Sequence, residues 1–179
     1  MRLATPDRIR RLQEALGTTA KQAPAYRFYL LYDKVYRADL LAHAYALAKQ
    51  RMGAAGVVGE TFETIEAAGR ERWLAAVQAA LRTESYRPQP VRRVMIPKPA
   101  GGERPLGIPT IRDRVVQTAV LLILQPIFEG DMEPTAYGDR PGRSARDAVE
   151  TAHRALCAGQ TQVVDADVSS TSTRSRIRP

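Results

Sequence analysis

Between residues 88 and 110 the chain carries two short strand-like runs around a glycine turn, the first of them β-branched, and this feature limits the possible folds most. Pro88 and Pro90 break the preceding helical pattern, and residues 91–96 and 104–108 alternate in part, as strands do. The adjacent glycines between the two runs allow a tight bend of the backbone. The sequence therefore predicts one basic antiparallel hairpin inserted into an otherwise helical chain.

Apolar positions recur with helical spacing on both sides of the hairpin. Four helices are predicted before it, over residues 9–16, 26–51, 61–68 and 71–82. Gly17 should end the first of them. Thr110 is predicted to cap a helix that is buried over residues 115–124. Ser144 should cap a further helix, and residues 162–168 are predicted to form a short strand.

The charge balance favours a polyanionic partner. The net charge is +8 and the isoelectric point is about 10.1, which suits RNA or DNA. Ribosomal and DNA-packing proteins show the same balance. Of the 27 basic residues only four are lysines, and a GC-rich genome that favours arginine codons would explain much of this arginine excess. The charge by itself therefore does not distinguish between these classes of protein.

Several residue types argue against other classes of protein. A single cysteine, Cys157, excludes a disulfide scaffold and argues against a cysteine-based zinc site, and its helical context predicts a core thiol. His43 and His153 stand alone and are interpreted as packed or surface residues. The longest apolar run, residues 115–127, is interrupted by polar residues and is too short to span a bilayer. Since no signal peptide is recognised, a cytoplasmic protein without a membrane partner is expected.

Three stretches could carry chemistry, and each also has an ordinary explanation. Lys98 and Arg104 flank the hairpin turn and could hold one triphosphate, although the spacing alone favours a basic hairpin with solvated charges. A cluster at a predicted helix start could contact phosphate or form a solvated basic cap. It consists of Arg140, Arg143 and Arg146. Asp165 and Asp167 share a strand face, where two carboxylates could hold Mg²⁺ or simply lie at an exposed strand end.

Five segments, in this order, resemble the group II intron-encoded reverse transcriptases: YDKVYRADLLAHAY, GETFETIEAAG, YRPQPVRRVMIPKPAGGERPLGIPTIRDRVVQTA, LQPIFEGDMEPTAYGDRPGRSARDA and VVDADV. The resemblance implies an α/β fold: reverse transcriptase fingers with a partial palm, behind a helical N-terminal extension, as an incomplete right-hand polymerase. Residues 1–85 would form the extension and residues 86–170 the fingers and the start of the palm. The implied activity is RNA-directed DNA synthesis with Mg²⁺ and deoxynucleotide triphosphates, together with binding of group II intron RNA and assistance to its splicing.

The resemblance also implies roles for particular residues. Lys98 and Arg104 match the positions that bind the triphosphate, and Ile108 matches a residue near the templating base. Asp167 matches the first palm aspartate, which binds the catalytic Mg²⁺ ions, whereas Asp165 matches no ligand. Contacts to the RNA template and primer are implied for a further set: Arg112, Arg140, Arg143, Ser144 and Arg146.

The chain departs from the family pattern at several positions and in its last nine residues. Asp139 stands where an aromatic residue is usual, so a loss of packing is expected there. No Tyr-x-Asp-Asp motif occurs. Read with a shift of one base, residues 171–179 can encode Tyr-Phe-Asp-Thr-Ile-Pro-His-Gln-Ala, a good family continuation, which predicts a frameshifted and truncated fragment that does not polymerise by itself.

Three alternatives remain open at this point. The chain could be a non-catalytic RNA-binding module that retains the basic half of the enzyme. It could be a pseudogene product, whose apolar helix over residues 115–124 would lack partners and be exposed. Within the enzymes, a retron-type reverse transcriptase is the alternative, although the long Arg-Pro-Leu-Gly-Ile-Pro-Thr run favours the group II type.

Overall fold

The computed structural model describes residues 3–99, 101–164 and 166. In chain order the elements are α1 (Asp7–Gln22), α2 (Tyr32–Val35), α3 (Ala38–Gln50), α4 (Phe62–Ala68), α5 (Arg70–Arg82), β1 (Arg92–Pro97), β2 (Glu103–Ile108), α6 (Ile111–Asp131) and α7 (Ala145–Cys157). The chain divides into two compact units, residues 1–132 and 133–179. A helical chain with a small two-stranded sheet agrees with the α/β prediction at this coarse level.

The core of the first unit is built around α6. Val115, Ala119 and Ile123 are four residues apart and almost fully buried, so they form the face of α6 that packs against α1 and α3. The predicted burial is confirmed for this face, whereas Leu121 on the other side is 43% exposed. The helix also continues through Pro126 and is longer than the predicted apolar stretch. Its burial argues against the exposed helix expected of a pseudogene product.

Close helix packing explains why the predicted end of α1 is wrong. The helix runs through Gly17, and a side chain added there would approach the Pro126 carbonyl oxygen of α6 to 3.2 Å. Gly130 of α6 faces α1 in the same way, 3.0 Å from the Ala20 side chain. Both glycines therefore allow α1 and α6 to pack closely against each other. A local rule that assigns glycine to helix ends does not detect this use.

The single helix predicted over residues 26–51 is also wrong, since it is divided into α2 and α3. Arg37 between them adopts extended backbone angles. Its guanidinium pairs with Asp39 at 2.6 Å, in the first turn of α3. An acidic residue in a first turn favours a helix start there. By contrast, α4 and α5 agree with the prediction, and Thr61 caps α4 through a capping box with Thr64.

The hairpin is confirmed with an antiparallel register in which Ile96 is paired with Arg104. Its turn contains Gly101 and Gly102, both in the left-handed region with φ of 88° and 81°. Side chains other than glycine are strained in that region, so this turn depends on the two glycines. The bend closes through a hydrogen bond in which the Lys98 amide donates to the Gly102 carbonyl oxygen at 2.9 Å.

The second unit contains α7, and the cap predicted at Ser144 is confirmed. None of the residues of α7 is buried, and Cys157 is exposed, so the prediction of a core thiol is wrong. Residues 162–164 form no strand. Val163 and Val164 are exposed, and β-branched residues do not form a strand without a neighbouring strand to pair with. Within the described residues, no helix has the length and apolar character needed to cross a membrane.

Candidate nucleotide- and nucleic-acid-binding surface

Strand alternation places the three predicted nucleotide-site residues on one face of the hairpin. Paired residues share a face, and so do residues two apart along a strand. Ile96 pairs with Arg104 and Arg92 pairs with Ile108, while Lys98 lies two residues beyond Ile96. Lys98, Arg104 and Ile108 therefore lie on the same side of the hairpin. We call this side, with Arg92 included, the basic face.

All charged residues of the basic face are cationic. Lys98, Arg104 and Arg92 are exposed, and their side chains form no ion pair with any described residue. The carboxylate of Glu103 falls on the opposite face, together with Arg93. Lys98 and Arg104 are diagonal neighbours, a relation that sets residues roughly 7–8 Å apart across an antiparallel pair. Two flexible cations at that separation can contact different oxygens of one polyphosphate.

A buried carboxylate fixes the base of the hairpin to α6. Asp113 is 2% exposed and accepts hydrogen bonds from three groups. The Thr110 hydroxyl donates to it at 2.6 Å and the Gln89 amide at 3.2 Å, and the Tyr86 hydroxyl makes a short third bond. Since Gln89 precedes β1 and Thr110 follows β2, one carboxylate holds both ends of the hairpin.

Tyr86 and Arg112 complete this anchor. Burial is the main cause that raises the pKa of the Tyr86 phenol, and the hydrogen bond to Asp113 raises it further. The phenol therefore stays protonated and donates its hydrogen bond to Asp113. The guanidinium of Arg112 lies over the Tyr86 ring, 5.6 Å from its centre. Arg112 was predicted to contact RNA. The structure gives it a packing role at the hairpin base, and the predicted contact is not tested.

In the second unit, the predicted RNA-binding arginines also have structural contacts. Arg140 donates to the carbonyl oxygens of Glu133 at 2.6 Å and Ala136 at 2.9 Å. Arg143 donates to the Pro134 carbonyl oxygen at 2.5 Å, and its guanidinium lies 5.0 Å from the centre of the Tyr137 ring. Both guanidinium groups therefore hold the turn before α7 in place, which leaves fewer of their N–H groups for phosphate.

The carboxylate of Asp147 occupies the start of α7. Ser144 caps the helix, and its amide and hydroxyl both donate to Asp147 at 2.8 Å. The Ser144 hydrogen bonds lower the pKa of the Asp147 carboxyl. Arg146 is paired with Glu150 at 3.0 Å but is highly exposed. Of the predicted phosphate contacts at this helix start, Arg146 is the side chain most accessible to a strand, and its role stays a prediction.

Asp139 does not occupy a packing position. It is exposed, with φ of 52°, in the left-handed region that aspartate tolerates and bulky residues do not. A bulky side chain would be strained at this backbone conformation, and the loss of packing expected from the family pattern stays a prediction. Asp139→Phe should destabilise the turn before α7 by about 1 kcal/mol, whereas Asp139→Asn should be nearly neutral. Hydrogen exchange of the α7 amides would report the difference, and slower exchange in the phenylalanine variant would contradict this assignment.

The magnesium site cannot be placed on the described residues. Asp165 and Asp167 both lie outside them. Within the described part of the chain, no group of three or more histidine, cysteine, aspartate or glutamate side chains is arranged to hold a metal ion. Asp167 as a catalytic and metal-binding residue therefore stays a prediction based on the resemblance.

Comparison with known proteins identifies relatives for most of the chain. No protein-family model matches it. Over 130 residues, or 71% of its length, the chain is 35% identical to the group II intron-encoded protein LtrA of Lactococcus lactis. The chain belongs to the family of the group II intron-encoded proteins. A COX1/OXI3 intron 1 protein of Saccharomyces cerevisiae is 34% identical over 62% of the chain.

The chain spans only part of these relatives. It covers 21% of LtrA and 13% of the yeast intron 1 protein. Protein YkfC of Escherichia coli is 37% identical over 172 residues, and the matched region is 44% of that protein. Family membership is therefore shown for a region of these proteins, and the activity of a whole group II intron-encoded protein is a matter of proposal for this chain.

The sequence alone did not identify Asp113 as the residue that fixes the hairpin in this group II intron-encoded protein. The local pattern places Asp113 only in the first turn of a helix, where acidic residues usually interact with the helix dipole. Its burial depends on Tyr86 and Gln89, which precede the hairpin. The strong apolar pattern that follows Asp113 in α6 was the signal that could have revealed its burial.

Proposed function

We propose that the chain is the fingers region and part of the RNA-contacting surface of an RNA-directed DNA polymerase of the group II intron type. The observation that carries this proposal is the cation-only basic face with Lys98 and Arg104, on a hairpin fixed by the buried Asp113. The relation to LtrA supports it, since that relative is named a group II intron-encoded protein.

Each residue has a specific part in the proposed function. Lys98 and Arg104 bind the triphosphate of the incoming deoxynucleotide. Ile108, half-buried at the end of β2, lies near the templating base. Arg146, with Arg140, Arg143 and Ser144, contacts the RNA template and primer. Asp167 would hold Mg²⁺, which supplies charge neutralisation for nucleotidyl transfer when bound. Intron RNA is the proposed natural ligand.

Nucleotide binding tests the part assigned to the basic face. The chain is mixed with a primed RNA template and Mg²⁺, and the affinity for the matching deoxynucleotide triphosphate is measured by fluorescence titration. Lys98→Ala and Arg104→Ala should each weaken nucleotide binding about tenfold or more, because a hydrogen bond to a charged group contributes about 1.5–3 kcal/mol. The matched control is Arg93→Ala, which removes the same charge from the opposite face of the hairpin and should leave nucleotide affinity unchanged.

The same titration separates the enzyme from a non-catalytic RNA-binding module, which the net charge of +8 also favours. For the polymerase region, Lys98→Ala lowers nucleotide affinity more than RNA affinity. If the chain is an RNA-binding module, Lys98→Ala, Arg104→Ala and Arg93→Ala should lower RNA affinity to a similar extent. The wild-type chain should then bind matching and non-matching deoxynucleotide triphosphates equally. Binding is the better measurement because it reports the contribution of each cation to nucleotide affinity directly.

A further inference from the structure

A second basic site lies in the first unit, in a cavity of about 410 Å³ between the end of α3 and one side of α6. Ala48 and Leu121 supply apolar parts of its wall. Its polar lining comes from Arg51, Arg114, Gln117 and Thr118. None of these lining residues is acidic. A cavity of this volume is at the lower end of the range of small-molecule sites, about 300–1,000 Å³, and exceeds the needs of a bare ion.

The guanidinium of Arg114 lines this cavity, and one of its nitrogen atoms has no hydrogen-bond acceptor among the described residues. Its Nη2 atom donates to the Ala54 carbonyl oxygen. Its Nη1 atom is buried and makes no hydrogen bond to any described residue. A buried N–H group without an acceptor is unfavourable, and a charged one more so. An acceptor atom from a bound molecule would remove this cost.

The charges around Arg114 favour an anion as that acceptor. Burial and then the nearby charge of Arg92 lower the pKa of the Arg114 guanidinium. Arg51 is exposed and forms no ion pair with the described residues. Arg92 also belongs to the basic face of the hairpin, so cationic side chains continue from the hairpin to the cavity. A bound anion would offset the repulsion between these arginines.

Gly53 makes room for the guanidinium. A methyl group added at Gly53 would overlap the Nη1 atom of Arg114, whereas the backbone angles of Gly53 are ordinary. Since the obstructed atom is the far end of a flexible side chain, alanine at this position would displace the guanidinium without straining the fold. The chain therefore offers a variant that moves the charge without removing it.

We propose that the cavity lined by Arg51, Gly53, Arg114 and Gln117 binds a phosphate group. The ligand chemistry is a phosphate group that pairs with the guanidinium groups of Arg114 and Arg51. Its source is either a phosphodiester of a bound RNA strand or a free phosphate ion. The first source rests on the proposed function, since it requires that the chain binds RNA, and the second does not.

The experiment uses the whole chain with two probes, a single-stranded RNA and inorganic phosphate. Gly53→Ala and Arg51→Gln are compared with Arg72→Gln, which removes an exposed cation from α5. For RNA, affinity is measured over a range of salt concentrations. Each site variant should reduce the salt slope by about 0.7, the value for one lost phosphate contact on a single strand. Arg72→Gln should leave the slope unchanged.

For inorganic phosphate, the melting temperature is measured with increasing concentration. Phosphate should raise it in the wild-type chain and in Arg72→Gln, and less in the two site variants. If this shift occurs and the RNA slope does not respond, the site is supported and free phosphate is its ligand.

Stabilisation by phosphate in a chain that binds no RNA would reject the proposed function and keep the site. If neither the RNA slope nor the phosphate shift responds to Gly53→Ala and Arg51→Gln, the phosphate site is wrong, even where RNA binding itself is strong.

Discussion

Replacement of Asp113 by alanine should lower the free energy of unfolding of the chain by about 4 kcal/mol. The carboxylate accepts from the Tyr86 hydroxyl, the Gln89 amide and the Thr110 hydroxyl, and it is nearly inaccessible to water. Without it, these donors lose their acceptor in a buried position, and each unsatisfied group costs about 1–3 kcal/mol. The same change removes the connection between the hairpin and α6, so nucleotide binding should fall with stability.

Urea denaturation followed by circular dichroism measures this loss of stability. The control is Asp131→Ala, which removes an exposed carboxylate from the last turn of the same helix and should change stability by less than about 0.5 kcal/mol. Asp113→Asn adds a second reading, because its amide nitrogen cannot accept a hydrogen bond and should also destabilise. Equal unfolding midpoints for Asp113→Ala and the wild-type chain would show that the carboxylate does not anchor the hairpin.

Gly56→Ala should have the next largest effect, a loss of about 3 kcal/mol. Gly56 is buried in the loop before α4, where a methyl group would lie 2.7 Å from the Thr110 Cα atom and 2.8 Å from the Pro109 carbonyl oxygen. Both neighbours are backbone atoms and cannot rotate away, so the loop or the start of α6 must move. Overpacking of this kind costs about 1–3 kcal/mol or more. Movement of Thr110 would also disturb its bond to Asp113.

The melting temperature of Gly56→Ala should fall by about 10 °C for a chain of this size. Gly53→Ala is the matched control, since it adds the same methyl group three residues earlier in the same loop. There the methyl group meets the end of the Arg114 side chain, which can shift. A melting temperature for Gly56→Ala equal to that of Gly53→Ala would mean that the loop and the start of α6 are not in close contact.

The sequence predicted the elements whose signals are local. The hairpin follows from one β-branched run, a second strand-like run and the adjacent glycines between them. The caps at Thr110 and Ser144 follow from hydroxyl side chains that accept backbone N–H bonds. The end of α1 was not predictable in this way. Gly17 is used for the contact with α6, and that contact joins segments more than 100 residues apart in the sequence.

The candidate site divides in the same manner. Alternation along the strands was sufficient to place Lys98, Arg104 and Ile108 on one face once the hairpin and its register were known. The anchor at Asp113 and the cavity at Arg114 depend on side chains brought together by tertiary packing. The sequence shows only that residue 114 is an arginine. The structure shows that its Nη1 atom is buried and that a methyl group added at Gly53 would overlap this atom.

We expect the basic face of the hairpin to bind the triphosphate of a deoxynucleotide. The decisive measurement is the nucleotide titration of Lys98→Ala beside Arg93→Ala, on a primed RNA template with Mg²⁺. The two variants lose one cation each from the same strand region but from opposite faces. Lys98→Ala should lower nucleotide affinity about tenfold or more, and Arg93→Ala should leave it unchanged. Equal losses in both variants, or no loss in either, would contradict it.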